Sequence, residues 1–432
     1  MKKILFAIVL SSQFANAQVD KYIKEKDVTR IIKTLSADDM MGRSATDAKS
    51  IFKAASFIEK EFKKIGLTYM TGLTSYRQEF QKQRVSPGSI EVIIDGDKIS
   101  KDNIIFISER KDVDLKTGLT IKTIPLDNST PNKNQYFLGK AFEIYRDTSS
   151  CIVLVPAEFE ANFKEFRGYV GKRFASGRKS TKVFVLGKST ATEYSVKATQ
   201  NVESISMANV VGVLEGKSKK EEMVVFSGHY DHIGIQKAVN GDSIANGADD
   251  DASGTTAVIA LARYFKKTKT NERTLIFVAF TAEEIGGYGS KYFSQQINAD
   301  KVTAMFNIEM IGKPSKWGQN SAFITGFDKS DFGEILQKNV TGTQFQFNPD
   351  PYPEQDLFYR SDNATLARLG VPAHSISTDQ IDSDKLYHSV DDEFESMNIA
   401  NITSTIKAIA LGAKSMVEGK DAPKRIDKTA VR

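Results

Sequence analysis

Five short motifs carry acids or imidazoles at places where chemistry can be done, and the first four adjoin an apolar run. The first is Ser227-Gly228-His229-Tyr230-Asp231-His232, directly after Met223–Phe226. In an extended chain, residues two apart share a face. His229 can therefore face a metal while Asp231 orients its other ring nitrogen, and His232 is expected to point away in a structural role. The second, Asn246 to Gly254, holds three successive carboxylates, Asp249, Asp250 and Asp251. Such a run repels itself unless a cation or strong donors sit among the acids, and Gly247 and Gly254 allow close backbone approach. The third is Thr281-Ala282-Glu283-Glu284, where one glutamate can bind metal while its neighbour moves a proton. In the fourth, Glu309 sits inside the otherwise apolar run Asn307–Ile311 and needs a cationic partner. The fifth is Tyr387-His388-Ser389, with Asp391 and Asp392 close behind.

Taken singly, each motif has a bland reading: H-x-D pairs are common, and paired glutamates often lie on a solvated surface. Together they supply His, Asp, Glu, Glu and His on successive elements. With 4 histidines and 1 cysteine in the chain, a metal site must lean on carboxylates. Nitrogen and oxygen donors without thiolate suit zinc, with cobalt and manganese as alternatives. Two imidazoles and three carboxylates are enough for two metals bridged by one carboxylate, a pair that can clamp a carbonyl oxygen and activate water.

The elements that must position these residues follow from the patterning. From about residue 205, apolar runs (Val224–Phe226, Leu275–Phe280, Val302–Ile308, Ala322–Ile324, Val371–Ile376) alternate with helical stretches (Thr255–Phe265, Asn363–Leu369). This predicts an α/β fold with a mixed, largely parallel central sheet and helices on both faces. In such sheets function gathers beyond the carboxyl ends of the strands. Residues 47–65 form an amphipathic helix with Ile51, Ala55, Ile58, Phe62 and Ile65 on one face and Gly66 as its stop. Residues 397–417 make a last helix, and the polar tail 419–432 is expected to fray. Between them, 90–202 reads as a strand-rich insertion or accessory domain, whose basic segment 164–182 is a solvated face or the rim of a substrate cleft. His374, in the strand-like Val371–Ser377, reads as a core or edge histidine.

The 432 residues are 40% hydrophobic and 26% charged, an ordinary globular composition that excludes a disordered or coiled-coil chain. Lys2 and Lys3, the apolar run Ile4–Leu10 and Ala15-Asn16-Ala17 have the form of a signal peptide over residues 1–17. The expected mature protein starts at Gln18 and is exported, to the periplasm or the medium, without a stable membrane anchor. Losing the two lysines takes the net charge from +5 to about +3, too weak to argue for nucleic acid. Nothing in the sequence reports on oligomeric state.

The ordered set H-Y-D-H, G-A-D-D-D-A-S-G, A-E-E-x-G-G, N-I-E-M and Y-H-S resembles the secreted dizinc aminopeptidases, metallopeptidase family 28, over residues 203–418. Glutamate carboxypeptidase, transferrin receptor and glutaminyl cyclase are relatives. Leu35 to Arg43 also resembles the N-terminal segment of the larger members. The resemblance implies a zinc-exopeptidase fold, peptide substrates and two Zn2+ per chain. His229 and Glu309 would complete one metal site, Glu284 and His388 the other, and Asp250 would bridge them. It implies further that Glu283 is the general base acting on a dizinc-bound water, with Asp231 behind the ligands and Tyr387 at the oxyanion. Arg360, in Arg360-Ser361-Asp362, would contact substrate, and a cis peptide bond would follow Asp250. Most relatives carry aspartate in place of Glu309. The competing readings are a single-zinc glutaminyl cyclase using Asp250, Glu284 and His388, a carboxypeptidase on the same fold, and a non-catalytic binding protein. The last would be expected to have lost ligands that are all present here.

Overall fold

A computed structural model describes residues 17–126, 132–171 and 173–432. The basic and apolar parts of the proposed signal peptide lie outside the described residues. The chain forms two compact units: one from the N-terminus to Phe80 together with Met207–Arg432, the other Gln81–Ser206. The second unit thus begins some residues before the expected insertion at 90 and ends just after 202.

In the first unit, the strands Arg273–Phe280, Lys219–His229, Val302–Ile308 and Ala373–Ser377 lie side by side, all parallel. Ser321–Ile324 adds antiparallel to this core and pairs in turn with Gln346–Pro349. At the other edge, Val210–Leu214 runs antiparallel to Leu275–Ala279. The sheet is mixed with a parallel centre, as the alternation of runs predicts. The parallel strands are buried throughout their apolar lengths because helices cover both faces. Val224 and Phe226 pack with Phe277, Phe306 and the helices Glu25–Leu35, Ala48–Ile65, Gly254–Thr268 and Ile399–Gly412. Val225, Ile276, Val278 and Met305 point the other way, toward Phe293 and Leu366. The helix Ala48–Ile65 starts on Asp47, whose carboxyl accepts from the Lys49 N–H, and stops at Gly66 with φ 82°.

The tail corrects its sequence reading. Ile426 is buried, its N–H donates to the Gly370 carbonyl, and Arg273 donates to the carbonyl of Asp421. The tail is docked on the first unit because these backbone groups find partners there, so it is not frayed.

The second unit is strand-rich, as its turn-rich sequence suggests, and adds two helices. Its sheet runs Ile104–Ile107, Lys182–Leu186, Cys151–Val155, Thr120–Thr123, antiparallel at the first pairing and parallel afterwards. Helices Lys133–Arg146 and Glu160–Val170 bury Phe137, Ala141, Phe163, Phe166 and Val170 against Cys151, Val153 and Phe184. Part of the basic segment 164–182 therefore belongs to an amphipathic helix that buries Phe166 and leaves Tyr169 exposed. Cys151 is buried as a free thiol.

Candidate metal centre

The register of the parallel strands assembles the site. His229 is the last residue of its strand and sits opposite Phe280, so the turn Thr281–Glu284 emerges beside it. Ser227 pairs with Asn307, so Glu309 follows one residue past the end of the next strand. The acidic loop enters as the wide turn Ala248–Ser253, ahead of the helix Gly254–Thr268. His388 comes from the segment before the last helix.

Asp250 stands at the centre. Its Oδ1 lies 3.2 Å from His229 Nε2, and its Oδ2 lies 3.2 Å from His388 Nε2. Glu309 Oε1 is 3.3 Å from His229 Nε2, and Glu284 Oε2 is 2.9 Å from His388 Nε2. One carboxylate thus offers one oxygen to each of two imidazole–carboxylate pairs. All five residues named as ligands converge, and the peptide bond Asp250–Asp251 is cis. Burial opposes a charged His388, but the Asp250 and Glu284 carboxylates outweigh it and raise the imidazole to about 10. The same donors, two nitrogens and carboxylate oxygens with no thiolate, fit zinc.

The three aspartates avoid one another by pointing three ways. Asp249 accepts from the Gly312 N–H at 2.7 Å and meets Lys313 Nζ at 3.2 Å. Asp250 faces the imidazoles. Asp251 accepts from the backbone N–H groups of His229, Gly254 and Met310 at 3.0, 3.0 and 3.2 Å. A Cβ on Gly254 would overlap the Ile308 carbonyl and the Asp251 carboxyl, which is why the approach requires glycine. The loop backbone is tied from outside. Asp392 accepts from the N–H groups of Asp249 and Asp250. Arg43, fully buried, donates to the carbonyls of Leu35, Tyr230, Asn246 and Gly247.

Two sequence expectations change here. His229 Nδ1 lies 3.1 Å from the backbone carbonyl of Asp231 and 3.7 Å from its carboxyl, so the carbonyl orients the ring. The Asp231 carboxyl instead accepts from the Glu283 N–H at 3.1 Å. Burial raises it to about 7. His232 does not point away: its Nδ1 lies 2.8 Å from Glu284 Oε1. The chain leaves the strand after His229, so the alternation of faces stops there. Gly247 at φ 59° leaves room for the His232 ring, which a Cβ would strike.

Glu283, Tyr387 and Arg360 line one cavity with the five convergent residues. Burial drives the Glu283 carboxyl well above the usual range; His229 pulls it down and Asp362, Glu309 and Glu284 push it up. Tyr387 stacks on His388 with ring centroids 3.9 Å apart, and burial raises its hydroxyl. Arg360 is exposed at the rim, held to Gln355 Oε1 at 3.2 Å. Ser361 is a contact that sequence reading missed: its hydroxyl donates to Glu309 Oε2 at 2.6 Å. His374 is a core histidine as expected, between the Thr325 carbonyl and the Ser330 hydroxyl.

Comparison with known proteins finds zinc metalloproteases and aminopeptidases. Over 153 residues the chain is 35% identical to a protein of Pyricularia oryzae named probable zinc metalloprotease, covering 34% of this chain and 28% of that one. The chain thus spans about a quarter of the length of such relatives. Leucine aminopeptidase 1 of Leptosphaeria maculans is 24% identical over 330 residues, 72% of this chain and 82% of that one. An aminopeptidase from Aneurinibacillus sp. strain AM-1 shares the fold with TM-score 0.56 at 17% identity, covering 96% of this chain and 98% of its own. A zinc aminopeptidase from Bacillus subtilis gives TM-score 0.55 at 16% identity, over 95% and 99%. The model of Peptidase family M28 matches residues 209–412, just under half of the chain and the stretch that contains every convergent residue of the site.

Proposed function

We propose that the protein is an exported zinc aminopeptidase that removes N-terminal residues from peptides. The observation that carries this reading is Asp250, with one oxygen toward each imidazole and Glu309 and Glu284 flanking them. His229, Asp250 and Glu309 would hold one zinc, and Asp250, Glu284 and His388 a second. Bound there, zinc supplies Lewis-acid polarisation of the scissile carbonyl and lowers the pKa of water.

The chain's own residues do the rest. Glu283 lines the cavity beside the proposed ligand Glu284 with no ligand role of its own, and its backbone N–H is fixed by Asp231. It takes the proton of the attacking water and passes it to the leaving amine. Tyr387, stacked on His388, donates its hydroxyl to the oxygen that gains charge. The acids around the cavity attract the substrate's terminal ammonium, which favours an aminopeptidase over a carboxypeptidase. Metal analysis together with hydrolysis of aminoacyl amides, with and without chelator, tests the reading. About two zinc per chain and chelator-sensitive release of N-terminal residues are expected. One zinc with pyroglutamate formation from a glutaminyl amide would replace it with the cyclase.

A further inference from the structure

The cavity beside the metal centre has an end that the hydrolytic chemistry leaves unused. Beyond the acid residues its lining includes Met310, Phe323, Leu357, Ile381 and Asp379. Asp379 lies two residues past the strand Ala373–Ser377 and is 4% exposed. No N–H or O–H among the described residues donates to either of its carboxyl oxygens. Its nearest acids are Asp249 and Asp384, each with an oxygen close enough to share a cation with it.

Those two acids already have a counter-charge. Lys313 Nζ sits 2.6 Å from Asp384 and 3.2 Å from Asp249, and backbone N–H groups of Leu386 and Gly312 complete them. One ammonium therefore serves two carboxylates, and it would repel a metal placed among the three. Asp379 is left over. Burial first, then Asp249 and Asp384, raise its carboxyl to about 8. The other polar groups near it are committed: the Ser377 hydroxyl donates to the Met310 carbonyl, and that of Ser375 to Asn363. Asp379 lines the cavity, so a cation entering there can reach it.

We propose that this cavity receives a lysine or arginine side chain of the residue being released, with Asp379 as its counter-charge. The apolar walls suit the methylene stem, and the buried carboxyl suits the charged tip. A leucine in the same place leaves the carboxyl unanswered. Arg360 at the rim carries the opposing charge, so an acidic side chain is the competing occupant. The proposal rests on the aminopeptidase reading above.

The test is the ratio of kcat/KM values for lysyl, arginyl, leucyl and glutamyl p-nitroanilides with the zinc-loaded protein. Lysyl and arginyl substrates should exceed leucyl by about 10-fold or more, the worth of a charge-assisted hydrogen bond. Asp379→Asn should lower that ratio about 10-fold or more, whatever its absolute rates, and Asp379→Glu should restore part of it. A wild-type preference for leucyl or glutamyl substrate, or an unchanged ratio in D379N, would overturn the proposal. Should D379N not fold, competition in the wild type decides: lysinamide must inhibit more strongly than leucinamide. Cleavage of leucyl substrate alone defeats only this inference, whereas no cleavage of any amide defeats the aminopeptidase reading and this one with it.

Discussion

Glu309 is the proposed ligand at which the family resemblance implies an aspartate, and the structure shows what steadies its longer side chain. Ser361 donates to Glu309 Oε2 at 2.6 Å and accepts from Asn307 Nδ2 at 2.7 Å. Asn307 also donates to Ser375 at 2.9 Å and accepts from Ser227 at 2.7 Å. The carboxylate is thus held by a chain of buried hydrogen bonds anchored on three strands. Ser361→Ala removes the single hydroxyl at its end. A hydrogen bond to a charged acceptor is worth about 1.5–3 kcal/mol. The other amide hydrogen of Asn307 keeps its partner, so the fold loses little. Most of the loss should appear in metal affinity, and at about 1.4 kcal/mol per decade it amounts to roughly 10- to 100-fold. Zinc competition with a chromophoric chelator would measure it, and only the weaker-held metal should change. Ser361→Thr, which keeps the hydroxyl, should retain the affinity. Wild-type zinc affinity in S361A would refute the idea that this chain positions Glu309.

Glu283→Gln should lower kcat by about 10² or more with zinc content unchanged, by steady-state kinetics and metal analysis. Wild-type turnover would remove Glu283 from proton transfer. His374, lowered by burial to about 4 from an ordinary 6.5, is neutral in the fold. The unfolded chain binds the extra proton between those values, so stability rises with pH across the window and falls as pH drops from about 6.5 to 4. The loss is about 3 kcal/mol at most, and urea unfolding of His374→Gln should show a flatter pH dependence than wild type; parallel curves would contradict it. Arg43→Met strips donors from the buried carbonyls of Leu35, Tyr230, Asn246 and Gly247. At about 1–3 kcal/mol for each orphaned group, it should destabilise the protein by at least about 3 kcal/mol in chemical denaturation. A change under about 1 kcal/mol would show that the acidic loop does not depend on Arg43.

The sheet-and-helix alternation, and the residues that converge on Asp250, were legible from the chain alone. Each of the first four motifs touches an apolar run, and a parallel strand ends at one edge of its sheet, so such residues are brought together. The acid triplet was visible too, as a feature that needed help. What supplies that help was not visible. Arg43, Lys313, Asp392 and Ser361 stand far along the chain from the groups they satisfy, and nothing local marks them. His232 was misread because alternation of faces applies only while the strand lasts, and the strand ends at His229. In the second unit a local signal existed: Phe163, Phe166 and Val170 recur at helical spacing where the basic segment begins. The tail looked free because its sequence is polar, yet its backbone groups are paired by residues elsewhere in the fold. Hydrophobic period is a short-range property, readable from neighbours along the chain. The partner of a buried charge or carbonyl is chosen by whatever the fold brings within about 3 Å, and only the tertiary structure decides that.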